Sequence, residues 1–342
     1  MPKLHDIASY ANVSVSTVSK VLNGSHEISR ATANRVIRAA QELNYVFDSY
    51  NAKILNSAQK TIGVIAPEAI SSYYSVLVHS IQSILSQNGF QTLAAFSNFS
   101  PLDEIKLLRM FAKKGIDGVI MIRAGSEYTT TELEKFKKES YLAVIQIVLQ
   151  IEDNNISAGY DGYIVDEEYG IYCALKFLNE LGHERIVFIG EPMTKLRVEF
   201  FLKSMKKLGL SAGEGNIFLG SERFELGGYL RMKDVLQNRE QPTAVFAAYD
   251  NMAIGAMRAI QEAGLEVPGD VSVIGFDDIP ISRYLRTPLS TIGVPFAKLA
   301  QLSVESLKER LKTGDSSGAV HGTIKPDFYV RESTEKVKKH KL

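Results

Sequence analysis

A single cysteine, Cys173, excludes an internal disulfide and fits a reducing compartment. It stands in an apolar helical stretch, where a small buried hydrophobe is expected rather than a reactive thiol. Nowhere does an apolar run reach the length, about 18 residues, that a membrane-spanning helix needs. The opening Met1-Pro2-Lys3-Leu4-His5-Asp6 has no apolar stretch behind its basic residue, so the expected compartment is the cytoplasm, with no secretory signal. The six histidines show no ligand spacing, and neither a phosphate-binding loop nor a dinucleotide glycine fingerprint is present. Asp277-Asp278 could form an acid pair, but adjacent side chains rarely face one site and no histidine accompanies them. His183, after Gly182 at a helix end, is expected to cap or pack a loop. These absences argue against an enzyme and against a metal or other cofactor.

Net charge is also lacking, since 39 Lys and Arg balance 39 Asp and Glu. The balance hides an asymmetry. Residues 1–60 hold seven basic residues (Lys3, Lys20, Arg30, Arg35, Arg38, Lys53, Lys60) against four acids (Asp6, Glu27, Glu42, Asp48), and the rest holds 32 against 35. A basic head on a mildly acidic body is the footprint of a chain that meets phosphate at one end. An apolar content of 45% and a charged content of 23% are ordinary for a globular chain, here long enough for two or three domains.

In the head, Leu4, Ile7, Ala8 and Ala11 share one face of a short helix over 4–11. Asn12-Val13 makes a turn, and Ser14 is placed to cap a second helix over 15–23 whose inward stripe is Val18, Val21 and Leu22. Gly24 suits the positive φ that ends it. Ser29 opens a third helix, with Ala33, Val36, Ile37, Ala40 and Leu43 at helical spacing. Two short helices, a tight turn and a bracing third helix are the parts of a helix-turn-helix reader. The outer face of the second helix is short-chained and hydroxyl-rich, with Val15, Ser16, Thr17 and Ser19. Such side chains allow close approach to a groove and can bond phosphate oxygens or base edges.

The run His5-Asp6-Ile7-Ala8, then Ala11 to Gly24, then Leu43-Asn44-Tyr45, resembles the head of the LacI/GalR family of bacterial transcriptional regulators. The resemblance implies that Val15, Ser16 and Lys20 read bases, and that Ser14, Thr17, Ser19 and Asn23 make phosphate and positioning contacts. It also implies a hinge that inserts an apolar wedge into the minor groove. Counting from Tyr45 puts Ile54 there, while aligning Ala52-Lys53 with the family's Ala-Arg makes it Leu55; Ile54 is favoured because the head before it has no gaps.

From Thr61 onward, apolar strands at 62–66, 92–96, 118–122, 144–148, 186–190, 244–248 and 271–276 alternate with helical patterns between them. That alternation indicates parallel sheets covered by helices, and its length suggests two doubly wound lobes. A helix over 296–312 and a late strand near 323–330 are expected to cross back between them. Ligands of such sheets sit beyond the carboxyl ends of strands. Those positions hold Tyr73, Tyr74, Asn98, Arg123, Arg197, Tyr249 to Asn251 and Asp277-Asp278, a polar and aromatic set suited to a small polyhydroxylated or anionic ligand. The body resembles the same family through Asp117-Gly118-Val119-Ile120, Gly182-His183-Glu184-Arg185-Ile186, Val271 to Asp277 and Arg331-Glu332-Ser333. By that resemblance Tyr73, Tyr74, Arg197, Phe224, Tyr249 and Asp277 occupy effector-pocket positions, with Arg123 added as a strand-end residue. The chain departs from the family at Tyr249, where Asn is common, and at Phe200, where glycine is usual.

The expected fold is an all-α helix-turn-helix head (1–45), a hinge and linker (46–60), and an α/β body of two doubly wound parallel-sheet lobes (61–342), like a periplasmic binding protein. The expected function is a homodimeric repressor on pseudo-palindromic operator DNA, controlled by a small effector, by default a carbohydrate. Activation by a corepressor or a partner protein is the alternative within that class. A solute-binding protein shares the lobes but not the head. The basic tail 335–342 lacks leucine heptads, so no coiled-coil tether is expected.

Overall fold

The computed structural model describes residues 3–22, 28–43, 60–123, 126–140, 142–148, 159–237, 241–313 and 318–338. The chain divides into two compact units, Met1–Lys60 and Thr61–Leu342.

In the first unit, α1 spans Leu4–Ala11, α2 Val15–Leu22 and α3 Arg30–Glu42. Asn12 ends α1 in the left-handed conformation, φ 52°, which a short polar side chain tolerates. Ser14 Oγ accepts the Thr17 N–H at 3.1 Å and Ser29 Oγ the Thr32 N–H at 3.3 Å, so each of the next helices starts on a serine cap. Ile7, Val18 and Val36 are fully buried where the three helices meet, with Ala8, Ala11, Ala39 and Ala40 around them. The small alanines are what allow such short helices to approach and close one core.

The body contains β1 (Thr61–Ala66), β2 (Gln91–Phe96), β3 (Gly118–Arg123), β4 (Ala143–Val148), β5 (Asp161–Val165), β6 (Ile186–Gly190), β7 (Ile217–Leu219), β8 (Ala244–Ala247), β9 (Ser272–Asp277), β10 (Ser290–Gly293), β11 (His321–Ile324) and β12 (Asp327–Tyr329). They form two six-stranded sheets, ordered β11-β5-β4-β3-β1-β2 and β12-β10-β9-β8-β6-β7. The described pairings are parallel except β10 with β12. Central strands such as β3 and β9 are buried at every residue, as expected where helices cover both faces, while the edge strand β2 is largely exposed.

The helices that matter for the site are α4 (Ser72–Gln87), α5 (Pro101–Lys113), α6 (Glu127–Glu139), α7 (Glu167–Glu180), α8 (Lys195–Lys207), α9 (Phe224–Leu236), α10 (Asp250–Glu262) and α11 (Phe296–Thr313). The half-buried Cys173 lies on α7, more exposed than its apolar surroundings imply. A Cβ on Gly228 would lie 1.9 Å from the Met252 carbonyl oxygen, and one on Gly255 would lie 1.9 Å from that of Glu225. The two helices therefore pack backbone to backbone, which sets the first turn of α9 beside that of α10.

The chain crosses between lobes at 165–167, 293–296 and 324–327. These crossings lie together: the Asp166 N–H donates to the Ile324 carbonyl at 2.9 Å, and Gly170 faces both Pro326 and Ile292. The late stretch expected as one strand is two, β11 in the first sheet and β12 in the second. Pro326 stands between them and has no N–H to continue a ladder.

Candidate functional site

On the head, α2 presents Val15, Ser16 and Lys20 at its exposed surface, and Val15 is 41% exposed. Ser14 Oγ lies 2.8 Å from both Ser16 Oγ and Thr17 Oγ1, so the hydroxyls at the start of the helix form one hydrogen-bonded set. Ser19 is half-buried. Asn23 and both wedge candidates, Ile54 and Leu55, lie outside the described residues. A short-chained first turn followed by a lysine one turn on can enter a major groove with its N-terminal residues toward base edges.

In the body, a cavity of about 270 Å³ lies between the lobes. Its aromatic walls come from both. Tyr74 and Phe99 of the first lobe meet edge to face at 5.7 Å, and Phe224 and Tyr249 of the second at 6.1 Å. Arg197, in the first turn of α8, donates Nε and Nη2 to the two Glu167 carboxylate oxygens at 2.9 and 2.6 Å. Its Nη1 donates to the Ala248 carbonyl at 2.6 Å, and Phe276 covers its plane at 3.8 Å. Burial alone would lower its pKa, but the carboxylates of Glu167 and Asp277 hold it above the usual value. At the cavity's edge Arg223 spans the lobes, donating Nη1 and Nη2 to Glu68 at 2.8 Å each and Nε to Glu191 at 3.2 Å. The hydrogen bonds it donates to Glu68 raise its pKa, with the nearby Glu191 charge adding to them. Tyr249 completes this network: its hydroxyl donates to Glu191 at 2.8 Å and accepts the Phe224 N–H at 3.1 Å. Burial, with Glu191 beside it, raises the phenol's pKa.

Among the described residues, two buried polar atoms in the cavity wall have no hydrogen-bond partner, Tyr73 Oη and Asp277 Oδ1. Asp277 Oδ1 sits 3.7 Å from Arg197 Nη2, close enough for charge attraction and too far for a hydrogen bond. Burial pushes its carboxyl well above the usual carboxylate range, with Asp250 and Glu167 adding to the shift. Phe99, Phe224 and Asp277 hold positive φ of 59°, 57° and 108°. A strained backbone at non-glycine residues costs roughly 1–3 kcal/mol each and clusters where side chains must be aimed. Asp278, at φ 54°, turns the other way, to Arg331 at 2.6 Å and Arg283 at 3.1 Å. The adjacent acids thus face different surroundings and form no pair.

The chain is 31% identical over 343 residues to the HTH-type transcriptional repressor PurR of Haemophilus influenzae strain PittEE, covering 98% of this chain and 100% of that one. The chain belongs to the LacI family of bacterial regulatory proteins. The family's own model matches residues 3–48, and a periplasmic binding protein-like domain matches residues 175–334. The lac repressor dimer bound to operator and the anti-inducer ONPF has a TM-score of 0.72 at 25% identity, covering 98% of this chain and 99% of that one. A LacI family regulator from Enterococcus faecium with bound ribose has a TM-score of 0.68 at 28% identity, covering 82% and 100%. These relatives are transcriptional regulators, not enzymes, and this LacI-family chain is one too, with a helix-turn-helix head and an effector-binding type of body. Among the described residues no helix is long and apolar enough to cross a membrane.

The LacI-family cavity gathers Tyr73, Tyr74, Arg197, Phe224, Tyr249 and Asp277. It does not gather Arg123. That side chain is wholly buried inside the first lobe, donating to Gln146 Oε1 at 2.5 Å, the Ser126 carbonyl at 3.0 Å and Thr130 Oγ1 at 2.8 Å. It pins β3 and β4 to the start of α6, and burial lowers its pKa to about 10. The lining also includes residues beyond that set, among them Phe99, Glu167, Glu191 and Arg223. Glu191 directly follows β6, the strand read at 186–190, so the strand-end rule already reached it, while Glu167 follows β5 by two residues and is reached once that strand is recognised.

Proposed function

We infer that this chain is a cytoplasmic, homodimeric repressor that binds a pseudo-palindromic operator, one head per half-site, and that a small effector in the cavity between the lobes sets its affinity. The observation that carries the effector reading is the pair of buried, unpartnered polar atoms, Tyr73 Oη and Asp277 Oδ1, in an aromatic-walled cavity. Buried polar groups are nearly always satisfied, so a ligand's hydrogen-bonding groups are the fitting partners. A sugar or sugar derivative suits aromatic faces beside hydrogen-bonding acids, and the ribose-bound relative favours that class. Dimerisation is supported by large apolar side chains left in the open, among them Ile281 (50% exposed) and Tyr284 (77%) on the turn Pro280–Tyr284. On the head, Val15, Ser16 and Lys20 would read bases while Ser14, Thr17 and Ser19 hold register on phosphates; the same roles at Asn23 and Ile54 rest on the sequence.

Selection from random duplex DNA tests the first half, and failure to enrich any palindrome would overturn it. Titrating the selected operator with and without candidate sugars tests the second. An inducer lowers operator affinity and a corepressor raises it.

A further inference from the structure

The charge around the cavity narrows what can fill it. All three nitrogens of Arg197 already donate, to Glu167 and to the Ala248 carbonyl. All three nitrogens of Arg223 donate as well, to Glu68 and Glu191. Four carboxylates, those of Glu68, Glu167, Glu191 and Asp277, therefore stand against two guanidiniums, and all four residues are buried. Both guanidinium charges are thus already matched by buried carboxylates, so an anion would add negative charge to a wall that already holds an excess of acids. The unpartnered atom on the acidic side is Asp277 Oδ1, in a residue 4% exposed. When ionised it can only accept, and the partner it then lacks is a donor. Tyr73 Oη, the second orphan, can accept or donate. Around them, Tyr74, Phe99, Phe224 and Tyr249 line the cavity with aromatic rings that can pack against a ligand ring, and the Arg223 guanidinium already lies over Phe99 at 5.4 Å and Phe224 at 4.6 Å.

We propose that the cavity takes a monosaccharide-sized ring bearing a protonated amine, with the ammonium against Asp277, and that it excludes phosphorylated sugars and other anions. This rests on the cavity being the effector site. An uncharged sugar can meet the hydrogen-bonding needs of the wall but brings no positive charge to its excess of acids. An ammonium ion meets both. Burial holds the Asp277 carboxyl well above its usual range in the empty cavity, and a bound cation would draw it back toward the ionised form.

The test is calorimetric titration and thermal shift of the full chain with glucosamine, galactosamine and mannosamine. Each is run beside its N-acetyl derivative, its parent hexose and its 6-phosphate. At least one free amine should bind about tenfold or more tighter than its uncharged counterparts, and the 6-phosphates should give no shift. Asp277→Asn should shrink that preference toward parity. Should that variant misfold, Glu191→Gln is expected to shrink it too. A panel in which no amine binds, or in which an N-acetyl, neutral or phosphorylated member binds tightest, overturns the proposal. Operator affinity separates the two ideas. An amine that binds and leaves operator affinity unchanged sinks the effector reading alone, whereas a neutral sugar that binds and shifts operator affinity sinks only the preference for an amine.

Discussion

Arg223 of one lobe holds Glu68 of the other through two parallel hydrogen bonds of 2.8 Å. Its third nitrogen reaches Glu191 within its own lobe. One guanidinium thus fastens two carboxylates across the cleft. Arg223→Met would leave both acids buried and facing each other. Removing one partner of a buried pair costs roughly 3–5 kcal/mol. Arg223 is 26% exposed, and after solvent screening about 1–3 kcal/mol is expected. The measurable outcomes are a lower Tm and a larger radius of gyration by X-ray scattering, with partial recovery when Glu68→Gln is added. Unchanged scattering would mean the pair does not hold the lobes together.

Lys20→Ala is expected to weaken specific operator binding by about 1–3 kcal/mol and to relax preference at one base position. Competition between the selected operator and random DNA measures this. A specific-to-nonspecific ratio equal to that of the parent chain would move Lys20 from the bases to the phosphates.

Asp250 gives a dependence on pH. Its Oδ2 accepts from the Ile279 N–H at 2.9 Å and from Ser282 Oγ at 2.6 Å, and its Oδ1 accepts from Thr291 Oγ1 at 2.5 Å. Burial nevertheless pushes the carboxyl from 3.8 up to about 7. The folded chain therefore keeps a proton that the unfolded chain has released, so stability falls as pH rises from the unfolded value of 3.8 toward about 7 and levels off above it. One proton gives a slope of at most about 1.4 kcal/mol per pH unit. Urea melts across this window should lose that component of the slope in Asp250→Asn. An identical slope in the variant would place the titration elsewhere.

Gly255→Ala sets a methyl carbon 1.9 Å from the Glu225 carbonyl oxygen, and backbone cannot swing aside as a side chain can. Overpacking of this kind costs about 1–3 kcal/mol. It should lower the Tm by several degrees and weaken effector binding, because the first turn of α9 carries Phe224. An equally stable variant with unaltered ligand affinity would show that the helix contact does not position the cavity wall.

Much of this was legible in the residues. Ser14 and Ser29 announced two helix starts, and both cap as their hydroxyls suggested. Long apolar runs such as 118–122 revealed central strands because both faces are covered. The strands β5, β7 and β10 were not legible. β7 is three residues at a sheet edge, and β5 and β10 mix polar residues into short runs. Missing β5 hid Glu167, and missing β7 left Arg223 outside the strand-end positions, although Phe224 beside it was among the pocket residues. Arg123 misled for another reason: a strand-end position says nothing of which way a long side chain folds, and Gln146 and Thr130 drew it inward.

The clustered crossings also govern the order in which the molecule can be completed. Helix α11 packs on α4, and β11 pairs with β5, so the first lobe borrows two elements from beyond residue 295. As the chain emerges from the ribosome, β1 to β5 appear first, yet their sheet lacks an edge strand and a covering helix until nearly all of the second lobe has been made. That partner lobe itself waits for β12. Neither half can finish folding before residues 296–329 arrive, so a truncation that removes them would damage both halves at once.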